Sequence, residues 1–375
     1  MDRTVISRPG TESTFARGTG SLRVLVTGNQ GYLGTVVADE ISAAGHEVTG
    51  LDTGVYAARV LGPIPHDPPT LCADLREVSA KDLVGFDAVV HLAAAPDGGG
   101  LGTLQRSVGE SDHLVSVRLA REARAAGVSR FLFASTCAVY APGDGDPATE
   151  SSPLHPTTPW AASKLRVEED IAALADSGFS PASLRLATAF GVSPRLRSDL
   201  PVNRMVATAA FDGRVVPTGA TATLGPSIHV RDVADAFVRC LEAPAETVRA
   251  ASFNVGGHPD SVTKTELARM VAEAVPGTSI GVAHHSGSAR EPRRVDSGEI
   301  LRAVGFEARR GLAEGIAELL RAYTAAGMDA GVHAQAAAGV TTDEFLATFS
   351  RTHQQGTPPA LFGFGTAHHI ESIAS

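Results

Sequence analysis

The sequence predicts an α/β protein built on a doubly wound, mainly parallel sheet. Mainly apolar runs typical of buried parallel strands, such as LRVLVTG (22–28) and SRFLFAST (129–136), alternate with segments of helical periodicity, such as YLGTVVADEISAAG (32–45). Parallel strands need helical crossovers, and helices then cover both faces of the sheet, so the strands are apolar throughout. The alternation therefore indicates repeated βαβ units.

The length of the chain indicates more than one lobe. The chain has 375 residues, and a single hydrophobic core stops growing at a length of about 250–300 residues. After about residue 190 the pattern loosens into turn-rich stretches with short helices, such as RDVADAFVRCLEAP and LAEGIAELLRAY. We expect four parts, in chain order: a disordered leader over 1–20, a first domain over 21–190 to which some later segments return, a smaller lobe over 191–330, and a C-terminal extension over 331–375.

Composition and charge argue against two classes of partner. The formal net charge of −9 does not favour nucleic acid, which requires a basic face. No run approaches the about 18 apolar residues of a membrane span, and the first residues lack the apolar core of a secretory signal. The sequence predicts a cytoplasmic protein that binds a small molecule.

The cysteines and histidines do not indicate a metal site. The three cysteines, Cys72, Cys137 and Cys240, are scattered, which is typical of structural thiols in a reducing compartment. The histidine pairs 284–285 and 368–369 are adjacent in sequence, so their side chains point in different directions on a helix or strand. We expect no metal.

The segment TGNQGYLG (27–34) indicates a phosphate-binding loop of the Rossmann type. Gly28, Gly31 and Gly34 come directly after the first strand, where glycine permits a tight turn and close approach of a diphosphate to the backbone. The following helix would present free N–H groups to the phosphates. Asp52 ends the second strand, where a carboxylate accepts the ribose hydroxyls and repels a 2′-phosphate. NAD is therefore predicted over NADP, although glycine-rich turns beside an exposed aspartate also occur without a ligand.

Four motifs in this order resemble the extended short-chain dehydrogenase/reductase family. They are TGNQGYLG, HLAAA (91–95), FLFASTCAVYAP (131–142) and SKLRVEE (163–169). Within that family the chain is most similar to the NAD-dependent epimerase/dehydratase group, which modifies nucleotide sugars, and the resemblance extends over about residues 22–325. It implies NAD as cofactor, a Rossmann-type domain, a smaller substrate lobe, and a homodimer formed through the segments 113–127 and 161–178.

The resemblance also implies a role for individual residues. Thr136 matches the residue that orients the substrate, and Lys164 matches the lysine that holds the nicotinamide ribose. The implied cofactor-binding residues are Gly28, Gln30, Gly31, Tyr32, Gly34, Asp52, Asp74, Leu75, Ala93, Ala94 and Lys164.

Trp160 departs from the family where the chemistry takes place. Four residues before the lysine, the family has a tyrosine that takes the hydroxyl proton while hydride moves to NAD. The indole of Trp160 donates a hydrogen bond only and does not titrate in this range. Loss of a positioned base costs about 10²–10⁴-fold in rate, so the usual redox mechanism is predicted to be impaired unless another group substitutes.

Four residues are candidate substitutes. Tyr140 follows Thr136 by four residues but is also expected as a wall of the pocket. His155 has a suitable pKa range, but a loop histidine is usually solvated. Cys137 is expected to be a packing residue. A desolvated Lys164 could transfer the proton itself.

Two further departures concern the substrate side. Gly225 lies where many relatives have an arginine that clamps a nucleotide diphosphate, and Asp112 replaces a common asparagine. Other arginines could form a different anion site, although surface arginines are usually only solvated: Arg204, Arg290, Arg293 and Arg294.

Three hypotheses for function follow. The first is an active NAD-dependent epimerase, dehydratase or reductase with altered acid/base chemistry, acting on a nucleotide sugar or a secondary metabolite. The second is a non-redox cyclase, isomerase or lyase on the same scaffold. The third is a catalytically silent NAD-binding subunit.

Overall fold

The structure is a computed structural model that describes residues 20–57, 60–62, 65–94, 103–143, 146–195, 197–219, 222–257, 262–282, 284–285 and 293–326. Residues 1–19 of the expected leader, the glycine-rich segment 96–102 and the expected extension 331–375 lie outside the described residues.

The strands are short and spread along the described chain. They are β1 Arg23–Thr27, β2 Glu47–Asp52, β3 Thr70–Cys72, β4 Ala88–His91, β5 Arg130–Thr136, β6 Ser180–Leu186, β7 Thr188–Phe190, β8 Arg214–Val215, β9 Thr218–Gly219, β10 Ser227–His229, β11 Ala251–Val255, β12 Ser279–Ile280 and β13 His284–His285.

Helices separate most of the strands. They are α1 Tyr32–Ala43, α2 Ala80–Leu83, α3 Thr103–Ala125, α4 Pro159–Ala172, α5 Pro201–Asp212, α6 Val230–Glu242, α7 Ala245–Val248, α8 Lys264–Ala274, α9 Gly298–Val304 and α10 Leu312–Ala325.

The central element is a seven-stranded sheet in the order β11-β6-β5-β4-β1-β2-β3. Each neighbouring pair of strands in it is parallel, which confirms the predicted fold class. The chain order reverses between β1 and β4. In open sheets of this kind, ligands bind in the crevice at the carboxyl ends of the strands near that reversal.

Helices cover both faces of the sheet, and successive residues of β1 alternate between two cores. Val24 and Val26 pack into one core with Phe237 of α6, whereas Leu25 packs into the other with Val167 of α4. On the first face α1 packs against α6, and on the second α3 packs against α4. Burial on both faces explains why the central strands β1, β4 and β5 are mainly apolar.

Local sequence sets the start of the helix that carries Lys164. The Oγ1 atom of Thr158 accepts a hydrogen bond from the backbone N–H of Ala161 at 3.1 Å, so Thr158 is the N-cap of α4. Pro159 follows at the first helical position, where its missing N–H has no cost. This start fixes the helical phase of Trp160 and Lys164.

A separate core lies among α5, α8 and α10. Phe211, Leu267 and Ile316 pack there, and each is at most 1% exposed. The segment 193–205, which the sequence predicts as turn-rich, instead enters α5 at Pro201. Later segments return to the first domain, since β11 pairs with β6. Within the described ranges, no helix is long and apolar enough to cross a membrane.

Candidate active site

The loop between β1 and α1 can be built only with glycine at its key positions. Gly28 has φ +75°, and a Cβ atom there would lie 2.8 Å from the backbone nitrogen of Ala93. A Cβ atom on Gly34 would lie 1.9 Å from the carbonyl oxygen of Gly28. The N–H of Gly31 donates to that carbonyl at 3.0 Å, which closes the turn. The helix N-terminus is thereby open to a diphosphate, as a dinucleotide requires.

Asp52 is held against this loop by backbone donors. Its Oδ2 accepts from the N–H of Gln30 at 3.0 Å, and its Oδ1 accepts from the N–H of Gly54 at 2.9 Å. The N–H of Ala73 donates to the carbonyl of Asp52 at 3.1 Å, which brings the predicted adenine-binding pair Asp74 and Leu75 to the same edge. The carboxylate of Asp52 thus lies beside the phosphate loop, as the predicted hydrogen bonds to the ribose hydroxyls require.

The side chain of Asp74 already has a partner. Arg76 donates to Asp74 from its backbone N–H at 2.8 Å and from Nη2 at 2.6 Å. These bonds hold the pKa of Asp74 below its ordinary value. The carbonyl of Leu75 accepts from Nη2 of Arg118 at 2.7 Å, so this turn is fixed from α3.

The segment after β4 forms the opposite side of the loop. The N–H of Ala93 donates to Oγ1 of Thr27 at 3.3 Å, and Ala94 follows it as an exposed residue. Ala93 therefore lies next to Gly28, where the predicted wall of the cofactor channel requires it.

His91, which no local sequence pattern distinguishes, lies directly under this wall. Its Nδ1 lies 2.7 Å from Oγ1 of Thr27, and its Nε2 lies 2.9 Å from Oγ of Ser116. Burial, and secondarily the charge of Lys164, lower the pKa of His91 to about 3. His91 is therefore a neutral structural residue that connects β1, β4 and α3.

Thr136 and Lys164 lie on two elements that pack together at the carboxyl end of the sheet. Thr136 ends β5, is buried, and accepts a hydrogen bond at Oγ1 from the N–H of Ala138 at 3.1 Å. Lys164 is also buried, and its Nζ lies 4.7 Å from the centroid of the Phe133 ring. Because α4 packs against β5 and the turn that follows it, both side chains belong to one edge.

Trp160 lies one helical turn before Lys164 and is partly buried. Residues four apart share a face of a helix, so the side chains of Trp160 and Lys164 leave α4 on the same side. The backbone carbonyl of Trp160 accepts from Oγ of Ser163 at 2.8 Å. The chain thus presents an indole one helical turn before the buried lysine.

The prediction that Tyr140 takes part in catalysis is not supported by its contacts. Its hydroxyl donates to Oδ1 of Asn254 at 2.7 Å and accepts from Nη1 of Arg185 at 2.8 Å. Burial raises the pKa of Tyr140 to about 12. A phenol engaged on both sides and this weakly acidic is a structural residue and not a substitute base.

A buried ion pair completes this network. Arg185 donates to Glu168 of α4 from Nη2 at 2.7 Å, and both side chains are at most 5% exposed. The hydroxyl of Ser135 also donates to Glu168. Because Ser135 precedes Thr136 and Glu168 follows Lys164 by one turn, the pair holds the two candidate catalytic residues in fixed relation. These partners are far apart in sequence, and no local pattern indicated them.

The other two candidate bases are placed unfavourably. The thiol of Cys137 donates to the carbonyl of Arg185 at 3.0 Å, and burial raises its pKa far above the ordinary range. His155 is exposed, and only its backbone N–H is engaged, with the carbonyl of Val139 at 2.8 Å. Of the candidates, Lys164 alone is both buried and on the face shared with position 160.

Of the arginines proposed for a different anion site, Arg204 lies far in sequence from Arg293 and Arg294, which are adjacent. Arg204 lies in α5 and is exposed, while Nε of Arg293 donates to the carbonyl of Asp146 at 3.1 Å. Arg290 lies outside the described residues. Gly225 has φ +80°, a conformation that suits glycine and not arginine, and Asp112 is partly buried on α3. Within the described ranges, no group of three or more metal-ligating side chains is present.

Comparisons with known proteins agree with this geometry. A model of the NAD dependent epimerase/dehydratase family matches residues 24–256. UDP-glucose 4-epimerase of Corynebacterium glutamicum is 30% identical over 250 residues, covering 63% of this chain and 75% of that protein. The enzyme of the same name from Bacillus subtilis is 29% identical over 343 residues, covering 80% and 96%.

Solved structures of proteins with related names are also similar to this chain. UDP-glucose-4-epimerase from Stenotrophomonas maltophila, with bound NAD and formylated UDP-arabinopyranose, superposes with a TM-score of 0.71 at 25% identity, covering 82% of this chain and 99% of that one. MoeE5 in complex with UDP-glucuronic acid and NAD has a TM-score of 0.66 at 28% identity, covering 80% and 99%. With its glycine cradle and the carboxylate of Asp52 suited to NAD, this chain belongs to the NAD dependent epimerase/dehydratase family.

Proposed function

We propose that the protein is an NAD-dependent enzyme of the epimerase/dehydratase type that acts on a nucleotide sugar and transfers the substrate proton through Lys164, not through residue 160. One observation carries the proposal. The cofactor cradle, Thr136 and Lys164 lie together at the carboxyl edge of the sheet, whereas the residue one turn before Lys164 is a tryptophan.

The substrate class is supported by the relatives. The similar proteins are named for nucleotide sugars, including the UDP-glucose 4-epimerases of two bacteria and MoeE5 with bound UDP-glucuronic acid. The position of Gly225, which cannot clamp a diphosphate, supports a mode of substrate binding that differs from that of relatives with an arginine there.

The proposed chemistry assigns one task to each residue. When NAD is bound, it supplies the acceptor for the hydride that leaves the substrate carbon. The hydroxyl of Thr136 orients the substrate hydroxyl. The proton of the substrate hydroxyl passes to Lys164 as the C–H bond of the same substrate carbon breaks. Lys164 is only 6% exposed and leaves α4 on the same side as residue 160, so the proposal assigns to it the acceptance and later return of this proton.

A second candidate is a catalytically silent subunit that binds NAD. Trp160 favours it directly, because an indole cannot replace the phenol as a base. Two observations argue against a silent subunit. Thr136 and Lys164 are both present, and the buried Glu168–Arg185 pair fixes their relative positions.

We also propose the homodimer through α3 and α4 that the resemblance implies. Nε2 of His113 and Oδ2 of Asp170 join the two helices at 2.7 Å. Beside them Leu114 is 66% exposed, as expected for an apolar side chain that a second copy covers.

The test uses the purified full chain, NAD and a panel of UDP- and dTDP-sugars. We expect formation of reduced nicotinamide, or interconversion of the sugar, with the wild-type chain. In Lys164→Arg, which keeps the charge but cannot deprotonate, the rate should fall by about 10²–10⁴-fold. Retained binding of NAD to this variant, measured by calorimetry, separates loss of proton transfer from loss of the cofactor. NAD binding without turnover of any sugar would instead favour the silent subunit.

A further inference from the structure

Arg195 lies in the segment after β7 and is a buried cation with unused donors. Its side chain is 3% exposed. Its Nε and Nη1 atoms are buried and have no hydrogen-bond partner among the described residues. Buried donors are nearly always paired, since an unpaired one keeps its full desolvation cost. The guanidinium can therefore donate two further hydrogen bonds to a ligand that has several acceptor oxygens.

The third nitrogen of the guanidinium is anchored beside the phosphate loop. Nη2 of Arg195 donates to Oδ2 of Asp67 at 2.6 Å, and the same oxygen accepts from Nε2 of Gln30 at 3.0 Å. A single carboxylate oxygen therefore bridges the guanidinium of Arg195 and the side-chain amide of Gln30. Gln30 belongs to the loop between β1 and α1, and its own N–H binds Asp52.

Backbone and hydroxyl contacts hold the Arg195 segment against the same loop. The hydroxyl of Ser193 donates to the carbonyl of Tyr32 at 2.8 Å and accepts from the N–H of Arg195 at 3.2 Å. The N–H of Leu61 donates to the carbonyl of Pro194 at 2.9 Å. Three segments, those after β1, β2 and β7, therefore converge around the guanidinium.

We propose that Arg195 binds the diphosphate of the dinucleotide through Nε and Nη1. A guanidinium presents a planar fork of donors that matches the oxygens of a phosphate group. The phosphate loop and the N-terminus of α1 bring the dinucleotide's diphosphate to this place. Arg195 is contributed by the segment that leads into α5 of the second core, so it connects the smaller lobe to the cofactor.

Asp67 serves as the anchor that orients this fork. It is 18% exposed, and its Oδ2 is shared between Arg195 and Gln30. Asparagine at this position would keep one acceptor oxygen for both donors. Asp67→Asn should therefore keep the guanidinium oriented and retain the hold on a diphosphate, which distinguishes it from Arg195→Gln.

The experiment measures binding to the full chain and needs no turnover, so it is independent of the proposed function. Calorimetry would compare ADP-ribose, which carries the dinucleotide's diphosphate, with UDP, which carries that of a nucleotide sugar. We expect Arg195→Gln to weaken ADP-ribose binding by about 10- to 100-fold and to leave UDP binding unchanged. Arg197→Met removes an exposed charge two residues away and is the matched control, which should bind both ligands as the wild type does.

Breaking a buried ion pair can destabilise the fold, so two further variants keep the test decisive. The double variant Asp67→Asn/Arg195→Gln removes both charges and should lose ADP-ribose affinity to the same extent. Asp67→Asn alone should retain it. The assignment would be overturned if Asp67→Asn lost as much ADP-ribose affinity as Arg195→Gln. It would also be overturned if Arg195→Gln lost affinity for UDP alone, lost it equally for both ligands, or lost it for neither.

Discussion

Trp160 precedes Lys164 by one turn of α4, so an indole and a buried lysine side chain share one face of the helix. The buried pair of Arg185 and Glu168 holds the surrounding elements in place. The proposed function assigns proton transfer at this edge to Lys164 and the orientation of the substrate to Thr136.

We expect Gly34→Ala to abolish tight NAD binding. The added Cβ would lie 1.9 Å from the Gly28 carbonyl, and because that atom belongs to the backbone, the loop must change shape. Overpacking of this kind costs about 1–3 kcal/mol or more. Calorimetric titration with NAD measures the loss of affinity, and urea unfolding measures the loss of stability.

The matched control for this change is Gly311→Ala. Gly311 has φ −87°, and no atom lies within 4 Å of the Cβ that alanine would add. Gly311 is the N-cap of α10, where alanine is less favourable than glycine, so stability should fall by no more than about 1 kcal/mol, and the NAD affinity should be unchanged. Tight NAD binding by Gly34→Ala would show that the cofactor does not occupy this loop.

Tyr140→Phe should lower stability and leave proton transfer intact. It removes the hydroxyl that joins Arg185 to Asn254, and leaving such buried groups unpaired costs about 1–3 kcal/mol. The free energy of unfolding, measured in urea, should fall by this amount. Tyr323→Phe is a suitable comparison, since the buried Tyr323 hydroxyl donates a hydrogen bond to the Asn203 carbonyl at 3.2 Å. A fall of about 10²–10⁴-fold in the rate of nicotinamide reduction would instead identify Tyr140 as the base.

Stability should decrease in acid because His91 is buried as the neutral form. Its pKa is about 3 in the folded protein, against 6.5 ordinarily. Between these values the unfolded chain binds more protons than the folded one, so the stabilisation is complete above 6.5 and is lost as pH falls toward 3. The contribution is on the order of a few kcal/mol.

The variant His91→Asn isolates this contribution. Its free energy of unfolding at neutral pH should be lower, because a buried residue bonded to both Thr27 and Ser116 is changed. Its stability should also depend less steeply on pH across the interval. The same steep dependence in both proteins would assign the acid sensitivity to other groups.

The sheet and the cofactor loop could be predicted because their signals are local. β1, α1 and β2 follow from an apolar run, a helical period ending at Gly45, and a second run. Gly45 has φ +93°, as expected for a residue that terminates a helix. The phosphate loop is likewise a short motif whose glycines are required by its own backbone.

The contacts that decide the chemistry could not be predicted, because their partners are distant in the chain. Tyr140 meets Asn254, which lies 114 positions away, and Arg195 meets Asp67 across 128 positions. Nothing in the sequence around Tyr140 distinguishes a base from a buried network residue. The sequence also does not predict the helix that begins at Pro201, because the polar segment 193–200 and this proline resemble a turn, whereas proline is favoured at the first helical position.

The comparison of Trp160→Tyr with Trp160→Phe and the wild type tests the proton route most directly. The quantity measured is the rate at which reduced nicotinamide forms in a single turnover with the nucleotide sugar that the wild type accepts. We expect the three rates to agree within about tenfold, less than the contribution of a positioned general base. Reduced nicotinamide formed by Trp160→Tyr alone would contradict proton transfer through Lys164 and identify the natural protein as a silenced relative of its family.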